Sequence, residues 1–259
     1  MLLAIDIGNT NIVICLFHKG KIFFNKRLAS TITRTDDEIW LLIKHFCEQE
    51  KISPEGIKDI VIVSVVPHLT DVVEMMVIKY LKVNALIVDG VLDIGIKLPY
   101  DDPLKLGADR ICVVVAALKK FSGPLIIVDF GTATTYDVIS GKGEYLGGVI
   151  APGVETAGME LFKRTAKLPK VEFRYPESII GSNTVMAIQS GVMYGAVDAF
   201  EGMVRRLRRI VGKYATVVAT GGYAQIIAEM SNDIKYLEPN LVLEGARLIY
   251  ERIDKKRKK

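Results

Sequence analysis

The chain has 259 residues, a length that allows one large domain or two modest ones with a substantial core. Half of the residues are apolar, a quarter are charged and the formal net charge is +4, which is the balance of an ordinary globular protein. The most apolar runs, such as residues 60–66 and 111–118, are far too short to span a bilayer. The composition therefore excludes a membrane-spanning protein.

The start of the chain and its basic segments predict a cytoplasmic protein that binds neither membranes nor nucleic acid. Met1 leads directly into a strand-like run, without the charged and apolar segments of a signal peptide. Residues 254–259 (DKKRKK) carry much of the positive charge and predict a frayed, solvated terminus. Residues 205–209 (RRLRR) predict a solvated helix face, with phosphate contact as the alternative.

The cysteines and histidines show no pattern of a disulfide framework or a metal site. Cys15, Cys47 and Cys112 form no close pair and lie in apolar surroundings, so we expect buried, reduced thiols. The three histidines have no ligand spacing with one another or with the cysteines, which argues against zinc.

An internal repeat is the most informative pattern in the sequence. Residues 2–12 carry LLAIDIGNTNI and residues 125–135 carry LIIVDFGTATT. Each is an apolar strand that ends in Asp-x-Gly and continues with small hydroxyl or amide residues. Asp129 follows Asp6 by 123 residues, and the two glycines keep the same interval. Two predicted strands follow each motif, at 12–17 and 22–28 in the first copy and at 135–140 and 145–151 in the second. The sequence thus predicts two antiparallel three-stranded meanders in a duplicated domain.

The remaining predicted elements alternate between helices and strands. A capping box at residues 35–38 opens the first helix. The rest of the first half is predicted to contain a strand at 59–66, a helix at 70–81, strands at 85–88 and 93–98, and a helix at 108–121. The second half is predicted to contain helices at 155–166, 183–211, 224–230 and 241–253, with a strand at 215–219. This order predicts an α/β fold with two lobes, residues 1–121 and residues 122–259 with the basic tail.

The loop after the first repeated strand, residues 6–11 (DIGNTN), has the composition of a phosphate-binding turn. Glycine permits a tight turn, and exposed amides with Asn and Thr side chains offer donors to phosphate oxygens. Asp6 is placed to hold a magnesium ion or to order its waters. A plain hairpin is the alternative, because Asn and Gly are ordinary turn residues. The second copy favours phosphate binding, since two such hairpins would hold a polyphosphate together.

Residues 106–110 (LGADR) place an acidic side chain at the start of a predicted helix. Free amides and the helix dipole favour anions there, so Asp109 is expected to stay ionised and to accept a proton from a substrate hydroxyl. A simple N-cap is the alternative, and from the residues alone it is the stronger interpretation. Arg110 is predicted either to bind a substrate carboxylate as a bidentate fork or to pair with a nearby acid.

Seven segments together resemble a known family over nearly the whole chain. They are DIGNTNIV (6–13), YDDPLKLGADR (100–110), DFGTATT (129–135), GGVIAPG (147–153), TAKLP (165–169), NTVMAIQSG (183–191) and TGG (220–222). The hairpins and TGG resemble the phosphate and adenosine motifs of the acetate/sugar kinase–Hsp70–actin superfamily. GADR and NTVMAIQSG resemble type III pantothenate kinase more specifically.

The resemblance implies ribonuclease H-like or actin-like lobes, each with a mixed sheet led by an Asp-x-Gly hairpin and flanked by helices. It implies ATP-dependent phosphorylation of pantothenate to 4′-phosphopantothenate, the first step of coenzyme A biosynthesis, with magnesium accompanying ATP. The implied ATP-binding residues are Asp6, Ile7, Gly8, Asn9, Thr10, Asn11, Ile12, Val13 and Thr132. The implied pantothenate-binding residues are Tyr100, Gly107, Ala108, Asp109, Arg110 and Thr184. Asp109 is the implied general base, and Asp129 is the implied ligand of a monovalent cation, potassium or ammonium.

Glycines inside the predicted long helix suggest a closely packed partner. Gly191, Gly195 and Gly202 lie in residues 183–211, and glycine costs about 1 kcal/mol relative to alanine inside a helix. The partner is either an internal helix or a second subunit. The resemblance implies a homodimer formed through the C-terminal lobe.

Two other functions are compatible with the sequence. A kinase for a sugar or another small molecule is compatible with the same scaffold, because a fold does not determine its substrate. The GADR segment argues against it. A non-enzymatic regulator is the second alternative, because the family also resembles an accessory factor connected with transcription. Intact Asp6, Asp109 and Asp129 favour catalysis.

Overall fold

The computed structural model describes residues 1–258, and the chain forms two compact units. Unit 1 consists of Met1–Lys119 together with Leu241–Lys259, and unit 2 consists of Lys120–Asn240. From the sequence, we expect the boundary between the lobes after residue 121 and the last helix in the second lobe. In the structure that helix belongs to unit 1. No helix among the described residues is both long enough and apolar enough to cross a membrane.

Unit 1 is built on a five-stranded mixed sheet. Its strands are β1 (Leu2–Ile7), β2 (Asn11–His18), β3 (Lys21–Ala29), β4 (Asp59–Ser64) and β5 (Leu86–Ile87). The order is β3-β2-β1-β4-β5, with an antiparallel meander of β1 to β3 and parallel additions of β4 and β5. Its first helices are α1 (Asp36–Gln49), α2 (Pro67–Met76, continued by a π-helical turn at Val77–Leu81) and α3 (Ala108–Lys120). Short 3₁₀ turns lie at Pro54–Gly56 and Pro103–Lys105.

Unit 2 repeats this arrangement. Its strands are β6 (Leu125–Phe130), β7 (Ala133–Ile139), β8 (Tyr145–Pro152), β9 (Thr216–Thr220) and β10 (Tyr236–Leu237). Its helices are α4 (Val154–Arg164), α5 (Thr184–Val211) and α6 (Ala224–Ala228). The strand order β10-β9-β6-β7-β8 mirrors that of unit 1, again with one antiparallel meander and two parallel additions. The predicted duplication is confirmed.

The Asp-x-Gly hairpins occupy equivalent places in the two sheets. In unit 1, Asp6 pairs with Val13 across the β1–β2 hairpin. In unit 2, Asp129 pairs with Thr135 across the β6–β7 hairpin. β1 and β6 have the same burial pattern, in which every residue except the aspartate is buried. Because a central strand covered on both faces needs apolar side chains throughout, the single polar position marks the end of the sheet where the loops lie.

The last helix, α7 (Leu241–Arg257), packs within unit 1. Gly245 lies directly against α3, where an added Cβ would be 2.0 Å from the carbonyl oxygen of Cys112. The Tyr250 hydroxyl donates to the Asp59 carboxylate at 2.7 Å. The buried residues of α7 are Leu241, Leu243, Gly245, Ala246 and Ile249. The close contact of Gly245 with α3 therefore holds α7 in unit 1.

Two predictions near α7 are wrong. Residues 93–98 form no strand; Gly95 takes a left-handed backbone conformation with φ of 85°, which interrupts an extended chain. The tail is not frayed from Asp254 onwards, since α7 continues to Arg257. Arg252 pairs with Asp93 at 3.0 Å, and Lys256 pairs with the same carboxylate. These ion pairs hold the basic helix and the irregular segment together.

The other helices and strands lie within a few residues of their predicted positions. The capping box is confirmed, because the Thr35 hydroxyl accepts from the Glu38 amide while the Glu38 carboxylate accepts from the Thr35 amide. α2 begins at Pro67, three residues before its predicted start, because proline suits the first turn of a helix. β10 was missed, since its two residues are exposed and carry no apolar pattern.

Candidate active site

The first hairpin, residues 6–13, presents a short polar tip at the end of β1 and β2. The Gly8 amide donates to the Asn11 carbonyl at 2.9 Å and closes the turn. Asn9 and Thr10 are exposed at the tip. Ile7 and Ile12 are completely buried in the core of unit 1, so only their backbone groups are accessible to a nucleotide. The tip thus has the small, hydrogen-bonding composition that a phosphate group requires.

Asp109 lies in the first turn of α3, as predicted. Its Oδ1 accepts a hydrogen bond from the Arg110 amide at 2.8 Å. An added Cβ on Gly107 would lie 2.5 Å from the same oxygen, so the carboxylate folds back over a residue that has no side chain. Glycine at position 107 is therefore required for the observed placement of the carboxylate.

Burial determines the pKa of Asp109. Desolvation raises the pKa above the ordinary aspartate value, while the Arg110 amide and the Arg110 charge lower it by less. The sequence predicted that the helix start keeps this carboxylate ionised; the structure shows that burial outweighs that effect. A raised pKa makes the carboxylate a stronger base.

Arg110 is a buried cation beside the general-base candidate. Its side chain is 8% exposed, and its guanidinium donates to the Tyr100 hydroxyl at 3.2 Å. The structure therefore brings together two of the residues assigned to pantothenate. A buried guanidinium needs anionic or strong hydrogen-bonding partners, which suits a residue that binds a carboxylate.

The two carboxylates of unit 1 that are assigned to the site, Asp6 and Asp109, lie in the same part of the fold. Asp6 and Asp109 both raise the pKa of the Cys112 thiol, which burial already raises strongly. The buried thiol of α3 is therefore near both the end of β1 and the start of its own helix. Unit 1 gathers the first hairpin, the GADR segment and Tyr100 at one edge.

The second hairpin, residues 129–135, is enclosed by neighbouring backbone. The Thr132 carbonyl accepts from the Gly153 amide at 3.1 Å and from the Thr156 hydroxyl at 2.6 Å. An added Cβ on Gly153 would lie 2.2 Å from the Gly131 carbonyl oxygen. The start of α4 therefore packs directly on the hairpin, while the side chain of Thr132 itself is exposed. The GGVIAPG segment is visible in the sequence, but no local pattern indicates this supporting role of Gly153 and Thr156.

Asp129 lies against the turn that follows β9. Gly221 has a φ of 93°, and an added Cβ would be 2.3 Å from the Asp129 Oδ1. The Tyr223 amide donates to the Phe130 carbonyl at 3.1 Å, which ties the same turn to β6. The TGG segment thus positions the Asp129 carboxylate, a role that its sequence alone did not indicate.

Thr184 is the first residue of α5 and is exposed beside a cavity of about 920 Å³. The Asn183 side chain caps the helix by accepting from the Met186 amide at 3.0 Å. Gly191 and Gly195 line the same cavity, and nothing described lies within 4 Å of an added Cβ on either. The close partner expected for these two glycines is therefore not found among the described residues.

Solved structures show the class to which this fold belongs. A proposed Baf family transcriptional activator from Campylobacter jejuni matches with a TM-score of 0.58 and 21% identity, over 98% of this chain and 99% of that one. The activator of 2-hydroxyisocaproyl-CoA dehydratase from Clostridium difficile, solved with bound ADPNP, matches with a TM-score of 0.54 and 12% identity, over 99% and 97%. These likenesses show the fold alone. With its two mixed sheets and paired Asp-x-Gly hairpins, the chain has the actin-like kinase fold, as predicted.

Sequence comparison defines the family within this class. The sequence model of type III pantothenate kinase matches residues 2–206. A type III pantothenate kinase from Bacillus cytotoxicus is 43% identical over 252 residues, which cover 97% of this chain and 96% of the relative. The chain belongs to the type III pantothenate kinase family. The family, the ATP-dependent phosphorylation of pantothenate in coenzyme A biosynthesis and the use of a divalent metal, all expected from the resemblance, are confirmed.

Proposed function

We propose that Asp109 is the general base of this ATP-dependent phosphorylation of pantothenate, in which the γ-phosphoryl group passes to the primary hydroxyl, and that the reaction takes place in the cytoplasm. The observation that carries this assignment is the carboxylate at the start of α3, whose pKa burial raises above the ordinary aspartate value. A base of raised pKa beside a buried Arg110 combines a proton acceptor with a site for an anionic substrate.

ATP binds through the exposed tip of the first hairpin and through Thr132. Backbone amides around Gly8 and the side chains of Asn9 and Thr10 bind phosphate oxygens. Asp6 fits a magnesium ion, because it is the one polar residue of β1 and lies at the loop end of the sheet. Magnesium, when bound with ATP, neutralises charge on the phosphates.

Pantothenate binds through the GADR segment, Tyr100 and Thr184. The Arg110 guanidinium accommodates the substrate carboxylate, and Tyr100 holds that guanidinium in place. Gly107 and Ala108 supply backbone close to the acceptor hydroxyl, since they flank the Asp109 carboxylate. Thr184 contributes a hydroxyl from the start of α5.

Asp129 holds a monovalent cation, potassium or ammonium. Its carboxylate is fixed between β6 and the Gly221 turn, and a single fixed carboxylate suits a singly charged ion. Among the described residues, no group of three or more His, Cys, Asp or Glu side chains forms a multidentate metal site. When bound, the cation supplies a positive charge, which stabilises anionic groups.

In the reaction, the substrate hydroxyl loses its proton and gains the phosphoryl group. Asp109 accepts the proton of the primary hydroxyl as its oxygen attacks the γ-phosphorus in line, and the bond to the β–γ bridging oxygen breaks to release ADP. Most of the rate enhancement in such transfers comes from positioning and charge stabilisation.

The decisive test is Asp109→Asn, assayed with pantothenate and ATP in a coupled reaction. Loss of a general base lowers the rate by about a hundred-fold to ten-thousand-fold. We expect a loss in that range with ATP binding retained, because the first hairpin is untouched. Asp71→Asn, an exposed aspartate on α2, is the matched control and should keep full activity. An Asp109→Asn enzyme within a few-fold of the parent would contradict the assignment.

The second part of the proposal is a homodimer through α5. The observation that supports it is the cavity lined by Gly191 and Gly195, which no described residue fills. Gly195→Leu should shift the dimer toward monomer in sedimentation, since overpacking a close contact costs about 1–3 kcal/mol. Gly202→Leu lies on the same helix outside the cavity lining and serves as the control. A fully active parent that sediments as a monomer would refute the dimer.

A further inference from the structure

A second cavity, of about 390 Å³, lies at the C-terminal end of α5 and is lined only by charged side chains. None of them belongs to the Asp-x-Gly hairpins or to the GADR segment. The volume is within the range of small-molecule sites, about 300–1,000 Å³, although such sites are mostly apolar. A cavity with a charged lining suits a charged ligand. The lining consists of Glu201, Arg205, Arg208, Arg209, Lys213 and Asp233.

Both carboxylates of this cavity already have partners within unit 2. Asp233 forms an ion pair with Arg208, whose Nε also donates to the Ala215 carbonyl at 3.4 Å. Glu201 accepts a hydrogen bond from the buried Ser231 hydroxyl at 2.7 Å. These bonds fix both acids and one arginine in the wall of the cavity.

The other three cations of the cavity have no such neutralising partner. Among the described residues, no carboxylate forms an ion pair with Arg205, Arg209 or Lys213. The Lys213 ammonium lies 4.7 Å from the centre of the exposed Tyr214 ring. Four positive and two negative side chains leave the lining with a net charge of +2. The excess positive charge therefore faces the cavity.

The arginines of the cavity also repel one another along α5. Basic side chains elsewhere are neutralised locally; Arg247 of α7, for example, pairs at 2.6 Å with Glu251, one turn further along. Arg205 and Arg209 instead place like charges four residues apart, a spacing that destabilises a helix. An anion bound between them would relieve this repulsion.

The geometry favours a compact phosphate ligand over a nucleic acid. Guanidinium groups bind phosphate oxygens as bidentate forks. Single-stranded nucleic acids are held in an extended basic groove that follows the backbone, whereas these cations converge on one cavity. We propose that this cavity binds the diphosphate group of a small molecule at a site separate from the ATP site. The phosphate contact that the sequence offered as the alternative for residues 205–209 is the interpretation that this cavity favours.

The test compares the binding of inorganic pyrophosphate to variants of the full chain by isothermal titration calorimetry without magnesium. The double variant Arg205→Gln/Arg209→Gln removes two of the unpaired cations. Arg206→Gln is the matched control, since Arg206 is exposed on the same helix and does not line the cavity. The control should bind like the parent. The double variant should bind at least about ten-fold more weakly, because a hydrogen bond to a charged group contributes about that factor. Equal binding by the parent and the double variant would overturn the proposal.

The KM for ATP separates this site from the active site, where pyrophosphate also finds donors at the first hairpin. The double variant should keep the parent KM, because no residue of the cavity belongs to a hairpin. Weaker pyrophosphate binding with an equal rise in the KM for ATP would place the probe at the ATP site and overturn the proposal. Lys213→Gln repeats the titration without changing α5, and unchanged binding in this variant as well as in the double variant would refute the site.

Two further ligands identify the source of the diphosphate group. Uridine diphosphate that binds at least as tightly as pyrophosphate, and more weakly to the double variant, would support a ligand in which an organic group carries the diphosphate. Tighter binding of pyrophosphate would support the free anion. A single-stranded RNA that binds the parent more than ten-fold more tightly than either, and loses this affinity in the double variant, would overturn the small-molecule assignment.

Discussion

The two Asp-x-Gly hairpins share a sequence pattern and a place in their sheets, yet their surroundings differ. An added Cβ on Gly8 would meet only its own hairpin, at 3.2 Å from the Asn11 carbonyl oxygen. The second hairpin is held from two sides, by Gly153 of the β8–α4 junction and by Gly221 of the turn after β9. The first hairpin has an open tip, whereas the second holds a carboxylate in a fixed position.

This difference shows how duplication can produce two roles from one motif. An open tip can adjust to bound phosphates, which suits the hairpin assigned to ATP. A carboxylate fixed by packed backbone suits an ion site, because the ligand geometry does not have to be organised on binding. We therefore expect substitutions at the glycines that enclose the second hairpin, Gly153 and Gly221, to reduce stability, and substitutions at the first hairpin to reduce mainly nucleotide binding.

The largest effect is expected from Gly221→Ala. The residue has a left-handed backbone, and its new Cβ would lie 2.3 Å from the Asp129 Oδ1. The combined strain and overpacking should lower the free energy of unfolding by about 2–4 kcal/mol and abolish most activity. Thermal or denaturant unfolding measures this loss. Nothing lies within 4 Å of an added Cβ on Gly222, so Gly222→Ala is the control and should retain its stability. Equal effects of the two substitutions would contradict the described packing.

The roles of the two aspartates can be distinguished by their response to monovalent cations. If Asp129 binds the ion, Asp129→Asn should lose most of the activation by potassium, measured against a bulky organic cation at constant ionic strength and magnesium. Asp6→Asn should be slower but should remain potassium-dependent, because Asp6 is assigned to magnesium. If potassium activates Asp129→Asn as strongly as the parent, the ion does not bind at the second hairpin.

The raised pKa of Asp109 predicts a cost in stability as well as a pH dependence of the rate. Because the folded state binds this proton more readily than the unfolded state, the contribution of Asp109 to stability falls as the pH rises from the ordinary value of 3.8 through the raised pKa. Asp109→Asn should therefore unfold at a higher temperature than the parent at neutral pH, and the difference should shrink in acid. The kcat/KM of the parent should fall as the pH drops through the raised pKa. A variant destabilised equally at both pH values would contradict this prediction.

The smallest effect on stability is expected at the first hairpin. Gly8→Ala places a Cβ 3.2 Å from the Asn11 carbonyl oxygen, a contact that a small shift of the open tip can relieve. The free energy of unfolding should fall by less than about 1 kcal/mol, while the KM for ATP rises several-fold. Gly131→Ala is the equivalent change in the second hairpin; its new Cβ would make ordinary contacts at 3.5 Å, so it should also cost little stability, because the tight contacts of that hairpin are at Gly153 and Gly221. A large loss of stability in Gly8→Ala would show that the first hairpin is as constrained as the second.

Much of the fold was predictable because its signals are local. The duplicated meanders follow from apolar strands, a turn after Asp-x-Gly and a constant interval between Asp6 and Asp129. The capping box of α1 and the length of α5 were likewise predictable from short-range patterns. The prediction of a strand at residues 93–98 was wrong. Its apolar content suggested a strand, but the left-handed Gly95 interrupts the extended chain and Asp93 pairs with Arg252 of α7.

The sequence by itself determined the two hairpins, the GADR helix start and the family, because each depends on residues close together in the chain. Only the tertiary structure decided that α7 belongs to unit 1 and that Gly221 supports Asp129. These contacts join distant segments through backbone and small side chains, and such packing leaves no periodic pattern in a sequence. The direction of the Asp109 pKa shift also required the structure, since desolvation depends on all the groups that surround the carboxylate.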